Sequence, residues 1–264
     1  RLPPEGGRAT AITDSLGDDR LPHFSSDGTR LVFQSFRNGT WDIWVIDIGG
    51  ADGANLTALT ASRFDDREPV FSPDGMRVAF SSDRSGNYDI WVLELENREL
   101  TQLTTDGASD YMPAWSPDGD ALVFVSDRPE SRMALYQLEL SAAGPAPSPV
   151  LLLAFEQAIA SPAYSPDGTR IALRVLDIGV AGADAMGAAP ISSRLVLVPT
   201  NGDGSGGVED LDGPDDVFPF RVEWASASAL VYTAAGQLWR QDLAAPGSAL
   251  SAVPFEVPVT LDRP

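Results

Sequence analysis

The chain has 264 residues, 38 of them acidic and 18 basic, for a formal charge of −20; every basic residue is Arg, Cys is absent and His occurs once. Thiol chemistry, disulfides, Schiff-base lysines, the Lys of a phosphate-binding loop and multi-histidine metal centres are therefore excluded by missing atoms, and a Ser-His-Asp triad could only use His23. The negative field disfavours nucleic acid and anionic lipid as partners, and no apolar run approaches the ~20 residues needed to cross a bilayer.

In chain order, the first recognisable feature is a line that returns. Pro22 begins PHFSSDGTRLVFQSF, Pro69 begins PVFSPDGMRVAFSSDR, Pro113 begins PAWSPDGDALVFVSDR and Pro162 begins PAYSPDGTRIALRVLD. The Asp-Gly pairs at Asp27, Asp74, Asp118 and Asp167 are separated by 47, 44 and 49 residues, a period that marks a repeat architecture. A fifth copy from Asp215 keeps Trp224, Tyr232 and Trp239 but has lost the Pro-Asp-Gly turn.

Within each unit the apolar residues alternate, as in RVAFSS from Arg77 and DIWVLEL from Asp89, which predicts strands. Ser-Pro-Asp-Gly is turn chemistry between two of them. A second turn at Arg37–Thr40 or Arg84–Asn87, a third strand and a fourth ending in Leu-Thr complete the unit. Four short antiparallel strands per ~45 residues make the blade of a β-propeller; the competing β-sandwich needs no equal spacing. The fold class expected is thus all-β, a propeller of four-stranded antiparallel blades with five repeats, forming a single domain. Residues 18–60, 61–106, 107–155, 156–213 and 214–258 are the blades, 1–17 the outer strand of a preceding or closing blade, and 259–264 a tail.

The pattern P-x-[FWY]-S-P-D-G-x-x-[LIV]-[AV]-F-x-S-D-R…G-x-x-D-I-W resembles the repeat of the TolB-like propellers, also found in tricorn-like proteases and fused to some amidohydrolases. Units one to three match well, unit four half, and unit five only in its aromatics. The resemblance implies a noncatalytic, exported propeller, extracellular or periplasmic, serving as interaction scaffold or assembly subunit. The alternative it implies is the accessory propeller of a hydrolase whose catalytic domain lies elsewhere.

Two completions of the ring stay open. Ala9–Thr13 either supplies the outer strand of the fifth blade, or it ends a sixth blade whose inner strands come from outside this sequence. In the second case unpaired edges recruit a protein partner or a second copy by strand addition.

Three sets of residues are candidates for a site. Asp19, Asp66, Asp110 and Asp216 each precede a Pro by three, at the start of an innermost strand; equivalent positions would ring one channel mouth and hold Ca²⁺, a guanidinium or an amine. Each Asp can equally cap its own turn. Arg67 and Tyr111 beside them would be specificity contacts. In the acidic insertion after Thr200, Asn201, Asp203, Ser205, Glu209 and Asp212 fall on calcium-loop positions, making calcium the one cofactor suggested, against a plain acidic loop. Asp83-Arg84 and Asp127-Arg128, with Phe36-Arg37 in unit one, read as structural ties, and Phe24, Phe71, Trp115, Tyr164 and Trp224 as packing between blades. His23 faces the channel by alternation and reads as a lining residue. The sequons at Asn38 and Asn55 carry no further weight.

Overall fold

The computed structural model describes residues 7–8, 11–15, 17–48, 55–128, 133–140, 148–178, 191–200, 207–214, 216–217, 221–244 and 249–256. A short β1 (Gly7–Arg8) precedes five four-stranded antiparallel sheets arranged as a propeller. Blade one is β2 (Asp19–Phe24), β3 (Arg30–Ser35), β4 (Asp42–Asp47) and β5 (Leu56–Ala58). Blade two is β6 (Asp66–Phe71), β7 (Arg77–Ser82), β8 (Asp89–Glu94) and β9 (Leu100–Gln102). Blade three is β10 (Asp110–Trp115), β11 (Ala121–Ser126), β12 (Met133–Glu139) and β13 (Val150–Phe155). Blade four is β14 (Ala158–Tyr164), β15 (Arg170–Ile178), β16 (Ile191–Pro199) and β17 (Glu209–Asp210). Blade five is β18 (Glu223–Ser226), β19 (Ala229–Ala234), β20 (Gln237–Asp242) and β21 (Ala249–Val253), after which comes β22 (Phe255–Glu256). No helix long and apolar enough to cross a membrane occurs among the described residues.

The repeated residues explain the repeated shape. In each Ser-x-Asp-Gly turn the Ser hydroxyl donates to the Asp carboxylate, at 2.6 Å for Ser25–Asp27, Ser116–Asp118 and Ser165–Asp167. The same Ser accepts the amide five residues on, as Arg30 N to Ser25 Oγ at 2.9 Å. Gly28, Gly75, Gly119 and Gly168 close these turns with φ of 69–78°, a region that costs glycine nothing. The Thr of Leu-Thr fastens the third strand: Thr60 and Thr104 hydroxyls accept the amides of Ile43 and Ile90, both at 2.9 Å.

Blades stack face to face through apolar side chains. Trp115 packs with Val70, Ala79 and Val92 of the preceding blade and donates its indole N–H to the Val70 carbonyl at 3.3 Å. Trp224 does the same to Ala163 at 3.1 Å. Among the described residues the ring is not closed by stacking of that kind. Successive inner strands β2, β6, β10, β14 and β18 adjoin in order, but β18 and β2 make no comparable approach. Phe24, at the equivalent position of blade one, is 43% exposed.

Of the two completions, the first is corrected: the fourth strand of blade five is Ala249–Val253, antiparallel to β20, and not Ala9–Thr13. The terminal strands also have partners within the chain, since Gly7–Arg8 runs parallel to Phe255–Glu256. Ile12 packs on Leu31, Phe33 and Ile46 of blade one, as Leu59 and Leu103 pack on the blades that follow them. Thr13 also hydrogen-bonds Asp19. The Ile12-Thr13 pair thus occupies the place that the Leu-Thr end of a preceding blade takes elsewhere.

Candidate functional site: the channel and its mouth

Each of the first four inner strands contains a bulge two residues after the Asp position. The register of β2 with β3 shifts between Arg20 and His23, and equivalent shifts follow Arg67, Tyr111 and Ala160. At the bulge the backbone takes a left-handed conformation on non-glycine residues: Leu21 (φ 50°), Glu68 (58°), Met112 (54°) and Ser161 (55°). Such a conformation costs on the order of 1–2 kcal/mol for an L-residue. Its repetition in four blades shows that the fold holds it, as strained residues at sites are held by their surroundings.

The strain is stabilised between blades. The Gln34 carbonyl oxygen accepts the Glu68 amide at 2.8 Å, the Glu68 carboxylate accepts the Met112 amide at 2.7 Å, and the Met112 sulfur accepts the Ser161 amide at 3.2 Å. Ser81 also donates its hydroxyl to Glu68 at 2.6 Å.

The bulge turns these side chains into the channel. A cavity of about 430 Å³ is lined by Leu21, Glu68, Met112 and Ser161, with Arg221 of blade five, and by neighbours that include His23, Phe24 and Glu223. A second cavity of about 580 Å³ shares His23, Phe24, Arg221 and Glu223 and continues toward the Ser-Pro-Asp-Gly turns. Arg221 spans the channel, donating to the Pro113 carbonyl of blade three at 3.0 Å. His23 Nδ1 accepts the Phe71 amide at 3.2 Å, and burial, with Arg221 nearby, lowers its pKa to about 3, so it is neutral. Burial raises the carboxyls of Glu68 and Glu223 above their ordinary range and lowers Arg221.

The Asp positions have a different task. Asp66 and Asp110 are fully buried and Asp19 nearly so, each held by the Arg eighteen residues on in its own blade. Arg37 grips both oxygens of Asp19 at 3.0 Å, Arg84 meets Asp66 at 2.6 Å, and Arg128 spans Asp110 at 3.0 and 3.2 Å. Each guanidinium also donates to the Ser opposite, Ser35, Ser82 or Ser126, and lies over Trp44, Trp91 or Tyr136 at 4.3–5.0 Å. Burial lifts Asp110 to about 6 against the pull of Ser126 and Arg128. On Asp19 burial acts the same way, but Ser35, Thr13 and Arg37 outweigh it and hold the carboxyl low.

These carboxylates therefore do not stand free around the mouth. Asp216 is one residue out of register, because Val217 bridges Ala234 where Asp19 faces Ser35. The structural tie read at Ser-Asp-Arg exists, with other partners: Arg84 and Arg128 reach Asp66 and Asp110, while Asp83 and Asp127 accept the amides of Asp65 and Ser109.

Arg67 and Tyr111 do come together at the mouth, through residues the sequence did not single out. The Arg67 guanidinium lies 5.9 Å from the Trp41 ring and 5.6 Å from Tyr88, and Tyr88 stands 5.1 Å from Tyr111. Phe36 extends the row beyond Trp41 at 5.4 Å. Trp41 and Tyr88 are the residues before Asp-Ile-Trp in units one and two, and that shared place was the available signal. Asn201, Asp203 and Ser205 lie outside the described residues; Glu209 begins β17 and Asp212 is exposed, its carbonyl accepting from Gln241 at 2.8 Å. Among the described residues no three His, Asp or Glu side chains gather closely enough to hold a metal ion.

Five four-stranded blades around a lined channel define a β-propeller. Residues 60–173 match the family model described as the TolB beta propeller domain. No curated protein matches the sequence. Among solved structures, the chain is similar to TolB from Acinetobacter baumannii, at TM-score 0.69 and 20% identity over 92% of this chain and 59% of that one. It is similar to a putative TolB from Agrobacterium tumefaciens at TM-score 0.68 and 17% identity, over 92% and 82% of the two chains. The tricorn protease follows at TM-score 0.64 and 16% identity, over 91% of this chain and 26% of that one. At these identities the likeness is one of fold. The chain spans less than two thirds of the length of the Acinetobacter protein.

Proposed function

We propose that the chain is a noncatalytic, exported propeller acting as a protein-interaction scaffold or assembly subunit. The mouth strip of Phe36, Trp41, Arg67, Tyr88 and Tyr111 carries this reading. Its members are partly exposed, and Trp, Tyr and Arg on a rigid scaffold are the residue types that dominate interface hot spots. A Trp41→Ala/Tyr111→Ala variant should keep its fold and thermal midpoint. It should lose the complexes recovered by crosslinking in the source cells, which a distant Leu151→Lys should keep. Unchanged recovery in the double variant would remove the strip from consideration.

A second reading, the accessory propeller of a larger hydrolase, is favoured by one observation. The fold matches part of a mycobacterial puromycin-hydrolysing peptidase, covering 94% of this chain but 39% of that one. Gene sequence on either side of this chain that encodes a hydrolase domain would support it.

A further inference from the structure

We propose that the central channel cavity, lined by residues of all five blades, binds a small organic monocation with an apolar body, of the arylalkylammonium or alkylammonium kind. The inference rests on the cavity alone and stands apart from the mouth strip.

The cavity, about 430 Å³, falls in the range that encloses small ligands. Leu21, Pro22, Phe24, Pro69 and Met112 give it apolar walls. Four ionisable groups face it: His23, Glu68, Arg221 and Glu223. His23 is neutral, its Nδ1 already accepting the Phe71 amide. Two carboxyls and one guanidinium line the cavity wall itself, the second guanidinium that acts on Glu68, Arg67, standing outside the lining.

Arg221 cannot easily supply more, since it is anchored to the Pro113 carbonyl across the channel. Burial disfavours the charged form of the Glu68 carboxyl, and an added cation relieves that penalty directly. A divalent ion is a poorer occupant, because hard cations need six or more oxygens and the walls are mostly hydrocarbon. One Glu68 oxygen already accepts from Ser81 and Met112. An anion meets two carboxylates for one guanidinium. An ammonium head with an aromatic or alkyl body satisfies both halves of the lining, and the face of Phe24 adds attraction for a cation.

The test is calorimetric titration of the chain with phenethylammonium chloride, against 2-phenylethanol and 3-phenylpropionate as neutral and anionic bodies of similar size. The cation should bind with a Kd at least about tenfold below either control. Glu223→Gln and Glu68→Gln should each weaken it by about tenfold, Met112→Trp should abolish it by filling the cavity, and the distant Leu151→Lys should leave it unchanged. If Glu68→Gln fails to fold, Glu223→Gln decides, because its side chain makes no contact the fold depends on among the described hydrogen bonds. Equal binding of phenylethanol, binding indifferent to Glu223→Gln, or no heat at millimolar cation would each overturn the proposal.

Discussion

Blades one to three and blades four and five meet the same structural demand in opposite ways. Where the innermost strand starts, blade three faces Asp110 with Ser126 and holds the carboxylate with Arg128. At the equivalent place blade four faces Ile159 with Val175, 2% and 0% exposed, and blade five faces Val217 with Ala234, 4% and 0% exposed. The buried ion pair and the apolar pair are alternatives for one site. A fully satisfied ion pair and an apolar pair of similar volume have comparable net worth, because desolvation consumes most of the Coulombic gain. What differs is the consequence of losing one partner.

The sharpest way to break the comparison is Arg128→Met. It strands Asp110 in the interior and should cost about 3–5 kcal/mol in urea denaturation. Asp110→Ile/Ser126→Val/Arg128→Leu, which sets blade four's Ile-Val pair at this place and removes the clamp, should recover most of that loss. If the triple variant is as unstable as the single one, the two solutions are not interchangeable.

The centre and the open end of the propeller form a related contrast. Trp115 is 8% exposed between two blades, whereas Phe24 at the same position of blade one is 43% exposed. Trp115→Ala should cost about 3–5 kcal/mol, and Phe24→Ala about 1 kcal/mol or less, in proportion to the smaller area it removes from contact. Equal losses would mean that Phe24 has a packing partner.

Acidity separates the two kinds of blade more gently. Asp110, with a folded pKa of about 6 against an ordinary value of 3.8, contributes stability that is complete below pH ~4 and is lost as pH rises through 6. Glu68 and Glu223 shift the same way. The thermal midpoint should therefore rise between pH 7 and pH 5. Asp27 and Asp167, held near 2 by their turn hydrogen bonds, act in the opposite sense, and their contribution is lost as pH falls from about 4 toward 2. Asp110→Asn should flatten the rise at pH 5–7, and an unaltered slope would show that Asp110 is not its source. The last test is at 201–212: calcium bound there only in the folded state would raise the midpoint as calcium is added, and an unchanged midpoint would leave a plain acidic loop.

The blade was legible because its signals are local and recur. Ser, Asp and Gly of the turn, the alternating strands and the Leu-Thr ending each act within a few residues, so four copies state the same geometry four times. The site was less legible for the same reason. Asp19, Asp66 and Asp110 drew attention by recurring, and they recur because every one of those blades needs the same internal clamp. The channel residues Leu21, Glu68, Met112, Ser161 and Arg221 share a position and no chemistry, so repetition conceals them. The aromatic partners of Arg67 were hidden differently, since Trp41, Tyr88 and Tyr111 belong to different strands and loops and meet only when the blades stack.

From the sequence alone followed a five-repeat propeller with the negative charge partly built in by repetition, since turn chemistry and strand period depend on near neighbours. The tertiary structure decided which residue of Asp-x-x-Pro faces the channel, because a bulge with left-handed backbone re-aims one side chain per blade in a way no period-two pattern encodes. It also decided that the clamp Arg reaches back eighteen residues, that the terminal strands pair with each other, and that among the described residues the inner strands of blades five and one do not adjoin as the others do. Each of these is set by contacts between segments far apart in the chain, where packing selects among conformations that local sequence leaves equally available.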